Sequence, residues 1–372
     1  MERPTFILAR RASEWIRPPG PQHTTAIHSL SRRASIGRHA SCENNQCLTN
    51  SGLGSLDWCF RLHHWFAPVA IINGLFVSKR IQYLLFDVES VADGQLISDV
   101  RYPGQDLSPA EAIVKYRKER LELTGSDFIP YTHQIPVSVV VAKVAENGKL
   151  VDIVALDAPQ YRPHVIARHF WLGWEKYGRP TLVTFNGRSF DVPILELAAF
   201  RYGISIPGWF SGQRSYEQPR NRYNVNAHFD LQDLLTNFGA TRFNGGLNLA
   251  AMALSKPGKM DVSGDMVQDL YDQGEIHAIN EYCKCDVLDT YFVFLRCKVV
   301  TGQITLEDEL ERVAEVKEWL EDRSSESDAF AAYLERWDDW KNPWEAYREE
   351  SENVEPEKAE PDAEGKDAHA ST

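Results

Sequence analysis

Ile81-Gln82-Tyr83-Leu84-Leu85-Phe86-Asp87-Val88-Glu89 is an apolar run that ends on two carboxylates. Such a run suits a buried strand, and residues two apart on a strand leave the same face, so Asp87 and Glu89 project together from the sheet's edge over the core. Downstream, 136–144 and 150–156 are β-branched runs joined by Glu146-Asn147-Gly148, whose Asn-Gly pair favours a hairpin turn. Helical spacing over 161–177, an apolar strand at 181–185 and a helix over 190–202, with Pro193 in its first turn, follow in order. Residues 227–235 read as a fifth strand or a short helix, and further helices are expected at 247–254, 263–272 and 276–300. This order predicts an α/β domain with a mixed five-stranded sheet flanked by helices, the hairpin supplying the antiparallel part.

The chain has 372 residues, of which 43% are hydrophobic and 25% charged, enough for one substantial core with appendages. Its six cysteines, at 42, 47, 59, 283, 285 and 297, include no Cys-x-x-Cys pair and no ladder of a secreted disulfide scaffold. A reducing, cytoplasmic setting is therefore expected. The longest apolar stretch, 65–77, has 13 residues, short of the roughly 20 a membrane-spanning helix needs. No membrane association is expected.

Charge divides the chain into three regions. Residues 1–78 hold 8 Lys and Arg against 4 Asp and Glu, whereas 301–372 hold 8 against 23. The intervening 79–300 carries 24 basic and 26 acidic residues, so the overall net charge of −13 comes from the C-terminal part. A near-neutral domain leaves a polyanionic substrate open, because the local field steers a ligand and a distant tail is screened within about 10 Å.

Three carboxylate motifs carry the chemistry, and none is specific alone. Asp-x-Glu recurs at Asp362/Glu364, Phe-Asp at 190–191 and 229–230, and Tyr-x-x-x-Asp at 83–87 and 102–106. What distinguishes them is joint placement. Asp87 and Glu89 end the first strand, Asn186-Gly187-Arg188-Ser189-Phe190-Asp191 runs off the fourth strand into a helix, and Tyr282 and Asp286 share one helical stripe. Four carboxylates brought together are unstable unless protons or cations compensate them. Hard divalent ions suit oxygen ligands, and a pair about 3.5–4 Å apart activates water while stabilising the leaving oxygen of a phosphodiester. With an ordinary pKa of about 10, Tyr282 is a poor base at neutral pH and better suited to positioning the nucleophile. Asp289, three residues beyond Asp286, is a rival for its role.

Together the motifs Phe86-Asp87-Val88-Glu89-Ser90, Asn186-Gly187-x-x-Phe190-Asp191 and Tyr282-Cys283-Lys284-Cys285-Asp286-Val287 resemble those of the DEDD 3′–5′ exonucleases in their tyrosine variant. The chain is most similar to the stand-alone bacterial group related to the proofreading domain of family B DNA polymerases, over roughly 81–300. His228-Phe229-Asp230-Leu231 and Gly258-Lys259-Met260-Asp261 join the resemblance. It implies a ribonuclease H-like fold and hydrolysis from the 3′ end of single-stranded DNA with two divalent ions, Mg²⁺ or Mn²⁺. By the same resemblance Asp87, Glu89 and Asp286 would hold one ion, Asp87 and Asp191 the second, and Tyr282 would orient the nucleophile. The histidine variant would place His at position 281, which here is Glu281. An exoribonuclease, or a binding module of the same fold with little activity, are the alternative readings.

Substrate contacts are expected from Asn186 and Phe190 and from the loop 208–228, where Arg214, Arg220 and Arg222 alternate with aromatic residues including Tyr223. Such a mixture stacks unpaired bases and holds phosphates, although an ordinary polar loop has the same composition. Lys256 and Lys259 are further candidates. Cys283 and Cys285 lack partner ligands at metal-site spacing and read as small core residues. No glycine pattern matches a phosphate loop, so no nucleotide cofactor is expected, and the oligomeric state stays open.

The end regions invite separate expectations. Residues 1–78 repeat Arg-Arg-Ala-Ser at 10–13 and 32–35 without sustained periodicity. They read as an unstructured or mis-annotated extension rather than a targeting segment. In 301–372, an amphipathic helix at 306–319 and a short helix about Trp337, Trp340 and Trp344 dock on the exonuclease domain at 79–300, with disorder after about 345. The acidic tail is a candidate competitor of phosphate at the metal site.

Overall fold

The computed structural model describes residues 80–258, 264–345 and 347. The expectations for 1–78, Lys259 to Asp261 and the stretch from Arg348 lie outside these residues.

Five strands form one sheet: β1 (Ile81–Ala92), β2 (Gln134–Ala145), β3 (Leu150–Ala155), β4 (Thr181–Thr184) and β5 (His228–Asp230), in the spatial order β3-β2-β1-β4-β5. The first three pair antiparallel, and β4 and β5 extend the sheet parallel to β1. Between β1 and β2 lie α1 (Gly94–Arg101) and α2 (Pro109–Thr124); α3 (Pro163–Lys176) precedes β4, and α4 (Asp191–Tyr202) follows it. After β5 come α5 (Leu231–Thr236), α6 (Gly246–Met252), α7 (Val267–Asp272), the long α8 (Ile276–Val300), α9 (Leu306–Arg323) and α10 (Asp328–Glu335). This mixed sheet with helices on both faces matches the ribonuclease H-like fold. Among the described residues, no helix is long and apolar enough to cross a membrane.

Strand parity sorts the core into two halves. Leu84, Phe86 and Val88 face α3 and α4, packing with Phe170, Trp171, Trp174, Leu195 and Trp209. Buried indoles there find acceptors, Trp171 Nε1 donating to Leu195 O at 3.1 Å and Trp174 Nε1 to Pro180 O at 3.0 Å. On the opposite face Leu85, Val140, Ala142 and Val144 pack beneath α8, with Leu288, Tyr291, Phe292 and Leu295. The Tyr291 hydroxyl donates to the Gly148 carbonyl at 2.8 Å, tying α8 to the hairpin turn, where Gly148 takes φ +84°. Tyr291→Phe leaves that carbonyl without its partner and is expected to cost about 1–2 kcal/mol. Urea unfolding reads this as a lower midpoint at unchanged slope, and an unchanged midpoint would refute it.

Several sequence expectations are corrected. β1 does not end on its carboxylates but continues to Ala92, and it is the middle strand of the sheet. Residues 227–235 form both a strand and a helix. The helix expected over 263–272 is a 3-10 turn at Gly264–Met266 followed by α7. The C-terminal part packs on this domain, Val316 and Leu320 of α9 and Ala329, Phe330 and Tyr333 of α10 joining the core over α8. Trp337 packs at 5.3 Å from Phe292, and Arg296 lies 4.2 Å over Trp340, so these two tryptophans dock as expected. Trp344 is 54% exposed and lies in a short helical stretch at 343–345, whereas 337–342 are not helical.

Candidate active site

Asp87 and Glu89 share β1's α8-facing side with Leu85 and Val91, as strand alternation requires. A register shift falls between Glu89 and Ser90, directly after the second carboxylate. Irregularities of this kind re-aim side chains beside active sites.

The third carboxylate arrives because β4 is short. Its parallel ladder with β1 pairs Leu85 with Val183 and goes no further, while β1 runs on. Val88 N–H, which needs an acceptor, donates instead to Asp191 Oδ1 at 2.9 Å. Asp191 is the first residue of α4 rather than its cap, and it is only 6% exposed.

From above, α8 contributes Ile279, Tyr282, Cys283 and Asp286, spaced three and four apart. Cys283 Sγ donates to Asp87 Oδ2 at 3.3 Å. The ligand atoms of Asp87, Glu89 and Cys283 lie within 4.8 Å of one another. Tyr282 hydrogen-bonds Asp286. Asp289 points elsewhere: it is 1% exposed and accepts from the Tyr333 hydroxyl at 2.6 Å, and burial raises its carboxyl to about 7.

Electrostatics couples the carboxylates to one another. Burial raises Glu89 well above the usual carboxylate range, and the like charges of Asp87, Asp286 and Asp191 raise it further. Asp191 is pushed well up by burial and then by Asp87, against the opposing pull of the Val88 N–H. Burial also raises Asp87, and it raises the Tyr282 hydroxyl, with Asp286 and Glu89 adding to the latter. The raised carboxyls of Asp87, Glu89 and Asp191, with Asp286 adding its charge to Glu89, make an oxygen-donor set that fits hard divalent cations, which would relieve the repulsion. The four carboxylates and Tyr282 read from the sequence thus converge.

Substrate candidates fare unevenly. Asn186 and Phe190 stand in the loop leading into Asp191. Asn186 holds φ +64°, and its Oδ1 accepts from Ser189 Oγ at 2.6 Å, while Phe190 lies 6.0 Å from Phe128. The Arg220 guanidinium is paired with both oxygens of Glu196, at 2.8 and 3.0 Å, while its side chain stays 52% exposed. Exposed Arg214 hydrogen-bonds the Tyr216 hydroxyl, and exposed Arg222 lies 5.2 Å over Tyr223. Tyr223 is exposed, with its ring 5.5 Å from Phe238. Lys256 is buried, donates to Asp338 O at 2.9 Å and lies 4.0 Å over Trp337, so it anchors the C-terminal segment.

Sequence reasoning missed the contact of Cys283 with Asp87. Cys283 and Cys285 are both buried, as expected of core residues, yet Cys283 stands three residues before Asp286 on the same stripe. That spacing was the available signal.

A family model described as a predicted 3′–5′ exonuclease related to the exonuclease domain of PolB matches residues 126–337. The matched span includes Asp191, Tyr282 and Asp286, reaches through α10 to Trp337, and begins after Asp87 and Glu89. No curated protein matches the chain.

Proposed function

Because the chain belongs to the family of predicted 3′–5′ exonucleases related to the PolB exonuclease domain, we propose that it removes nucleotides from the 3′ end of single-stranded DNA. Asp87, Glu89 and Asp286 would hold one Mg²⁺ or Mn²⁺ ion, and Asp87 with Asp191 would hold a second. The observation that carries this reading is the meeting of Asp87 and Glu89 of β1 with Asp191 of α4, held on Val88 N–H at 2.9 Å, and with the α8 stripe of Tyr282, Cys283 and Asp286, whose Cys283 lies 3.3 Å from Asp87. Bound divalent ions would supply charge neutralisation, an activated water and stabilisation of the leaving oxygen.

The chain's own groups do the positioning. Val88 N–H holds Asp191 against β1, and Cys283 holds Asp87. Tyr282 keeps its proton at neutral pH, since burial and the neighbouring carboxylates raise it. Its hydroxyl therefore serves as a hydrogen-bond partner that orients the attacking water, not as the base. Asn186 and Phe190 lead the substrate end toward Asp191, and exposed Arg214, Arg222 and Tyr223 offer phosphate and base contacts on the 208–228 loop. The described cysteines Cys283, Cys285 and Cys297 are unpaired, which fits a cytoplasmic setting.

Linear and circular single-stranded DNA of the same sequence, each incubated with Mn²⁺, test the reading, with matched RNA as a parallel arm. Loss of the linear DNA alone is expected; cleavage of the circle would contradict an exonuclease, and faster loss of RNA would move the assignment to an exoribonuclease. Tyr282→Phe is expected to slow turnover by about 10- to 100-fold through a misplaced nucleophile, with Mn²⁺ binding retained. Loss of Mn²⁺ binding in that variant would make Tyr282 a ligand-supporting residue instead.

A further inference from the structure

Asp230 closes β5, is 3% exposed, and gathers four backbone N–H groups on one carboxylate. Two of the four are an ordinary helix cap: Oδ1 accepts from Gln232 N at 3.0 Å and Asp233 N at 3.3 Å, at the start of α5. The other two come from the loop that leaves β4. Asn186 N donates to Oδ1 at 3.0 Å, and Arg188 N to Oδ2 at 2.8 Å.

The same loop is fastened at further points. Arg188 extends its guanidinium to Asp233 Oδ2 at 2.8 Å and to His228 O at 2.7 Å. Gly187 has no room for a side chain, because a Cβ there would sit 2.5 Å from Thr184 Cβ. At its far end stands Asp191, held by Val88 of β1 at 2.9 Å. In the strand order β1-β4-β5, the loop therefore bridges over the end of β4, moored to β5 at one side and to β1 at the other.

Resting on the exonuclease reading above, we propose that Asp230 is a positioning residue of the site, whose carboxylate moors the 186–190 loop and thereby sets where Asp191 stands relative to Asp87. A carboxylate is needed because the donors arrive at both oxygens. Asparagine keeps Oδ1 for Asn186, Gln232 and Asp233 but turns an amide N–H₂ toward the Arg188 N–H, donor against donor. Serine caps a helix as well, yet is too short to reach the loop. Both substitutions thus spare the cap of α5, while asparagine releases the loop's Arg188 contact and serine releases both loop contacts.

The test uses the full chain as wild type, Asp230→Asn and Asp230→Ser, with Mn²⁺ binding followed by electron paramagnetic resonance and turnover followed against Mn²⁺ concentration. Both variants are expected to need about 10- to 100-fold more Mn²⁺ for half-saturation, in keeping with the effect of groups that orient metal ligands. Most of kcat returns at saturating Mn²⁺, KM for the oligonucleotide stays unchanged, and both variants melt cooperatively as folded proteins. Wild-type Mn²⁺ affinity in either folded variant overturns the proposal, as does a raised KM at unchanged metal affinity. Because resonance reads binding without turnover, the two readings separate. Wild-type protein that binds Mn²⁺ but digests nothing overturns the exonuclease assignment, while a shift in the variants still upholds the mooring.

Discussion

Asp191→Asn is expected to lower phosphodiester hydrolysis by about a thousandfold or more, and to raise the melting temperature of the metal-free protein. The rate loss follows from removing an ion ligand, whose charge stabilisation is worth several kcal/mol, or about one factor of ten per 1.36 kcal/mol. The gain in stability follows from the same charge. Asparagine keeps an oxygen for the Val88 N–H but no longer repels Asp87. Burial, then Asp87, raises Asp191 in the fold, so the metal-free fold binds this proton more tightly than the unfolded chain does. The resulting stabilisation is complete below the unfolded carboxyl range near about 4 and is lost as pH rises through the raised folded value. Asparagine mimics the protonated acid at every pH. Its advantage is therefore small in mild acid and grows toward about 1–2 kcal/mol, roughly 2–5 °C, once the wild-type group ionises. Thermal melts of both proteins in chelator across the pH range, with parallel turnover assays, check both halves. A variant that stays active, or whose stability difference does not grow with pH, would contradict the assignment of Asp191.

Gly187→Ala is the second large effect expected, this time from packing. The added methyl would meet Thr184 at Cβ, Cγ2 and Oγ1, at 2.5, 2.6 and 2.6 Å. Thr184 is fully buried on β4, and its Oγ1 is engaged by His228 Nε2 at 2.8 Å, so it has no free rotamer to yield into. The loop must lift instead, and overpacking of this kind costs about 1–3 kcal/mol. Because Gly187 O accepts from Val192 N at 2.9 Å, lifting the loop also moves the start of α4 and Asp191 with it. A displacement near 1 Å at a reacting site costs about a hundredfold in rate. Chemical unfolding and single-turnover rates on the same preparation measure the two losses. Wild-type stability would show that the turn relaxes freely, and wild-type rate at reduced stability would separate the loop from the chemistry.

The site was legible where local pattern and tertiary demand coincide. Parity alone puts Asp87 and Glu89 on one face, and helical spacing alone puts Tyr282 above Asp286. The strand's length was not legible, because Asp87, Glu89 and Ser90 look like its polar end, whereas Val88 and Val91 continue the buried alternation to the two sides of the sheet. Helices α1 and α2 escaped because α2 buries only Ala112 and Tyr116, although Ser108-Pro109-x-Glu111 is a capping box. The amphipathic pattern of α9 was legible, but α10 is short, and its Phe330 and Tyr333 join the core through packing that no long period announces. Pairings such as Arg220 with Glu196, or Asp230 with Arg188, join distant segments and leave no local period to read.

A 5′-labelled single-stranded DNA oligonucleotide incubated with the full chain and Mn²⁺, beside Asp87→Asn and a chelator control, reads reaction, polarity and site in one gel. Stepwise shortening from the 3′ end by the wild type, absent in the variant and in chelator, is the result the converging carboxylates predict. Shortening that survives chelator or Asp87→Asn, or an intact substrate in every lane including matched RNA, would contradict it.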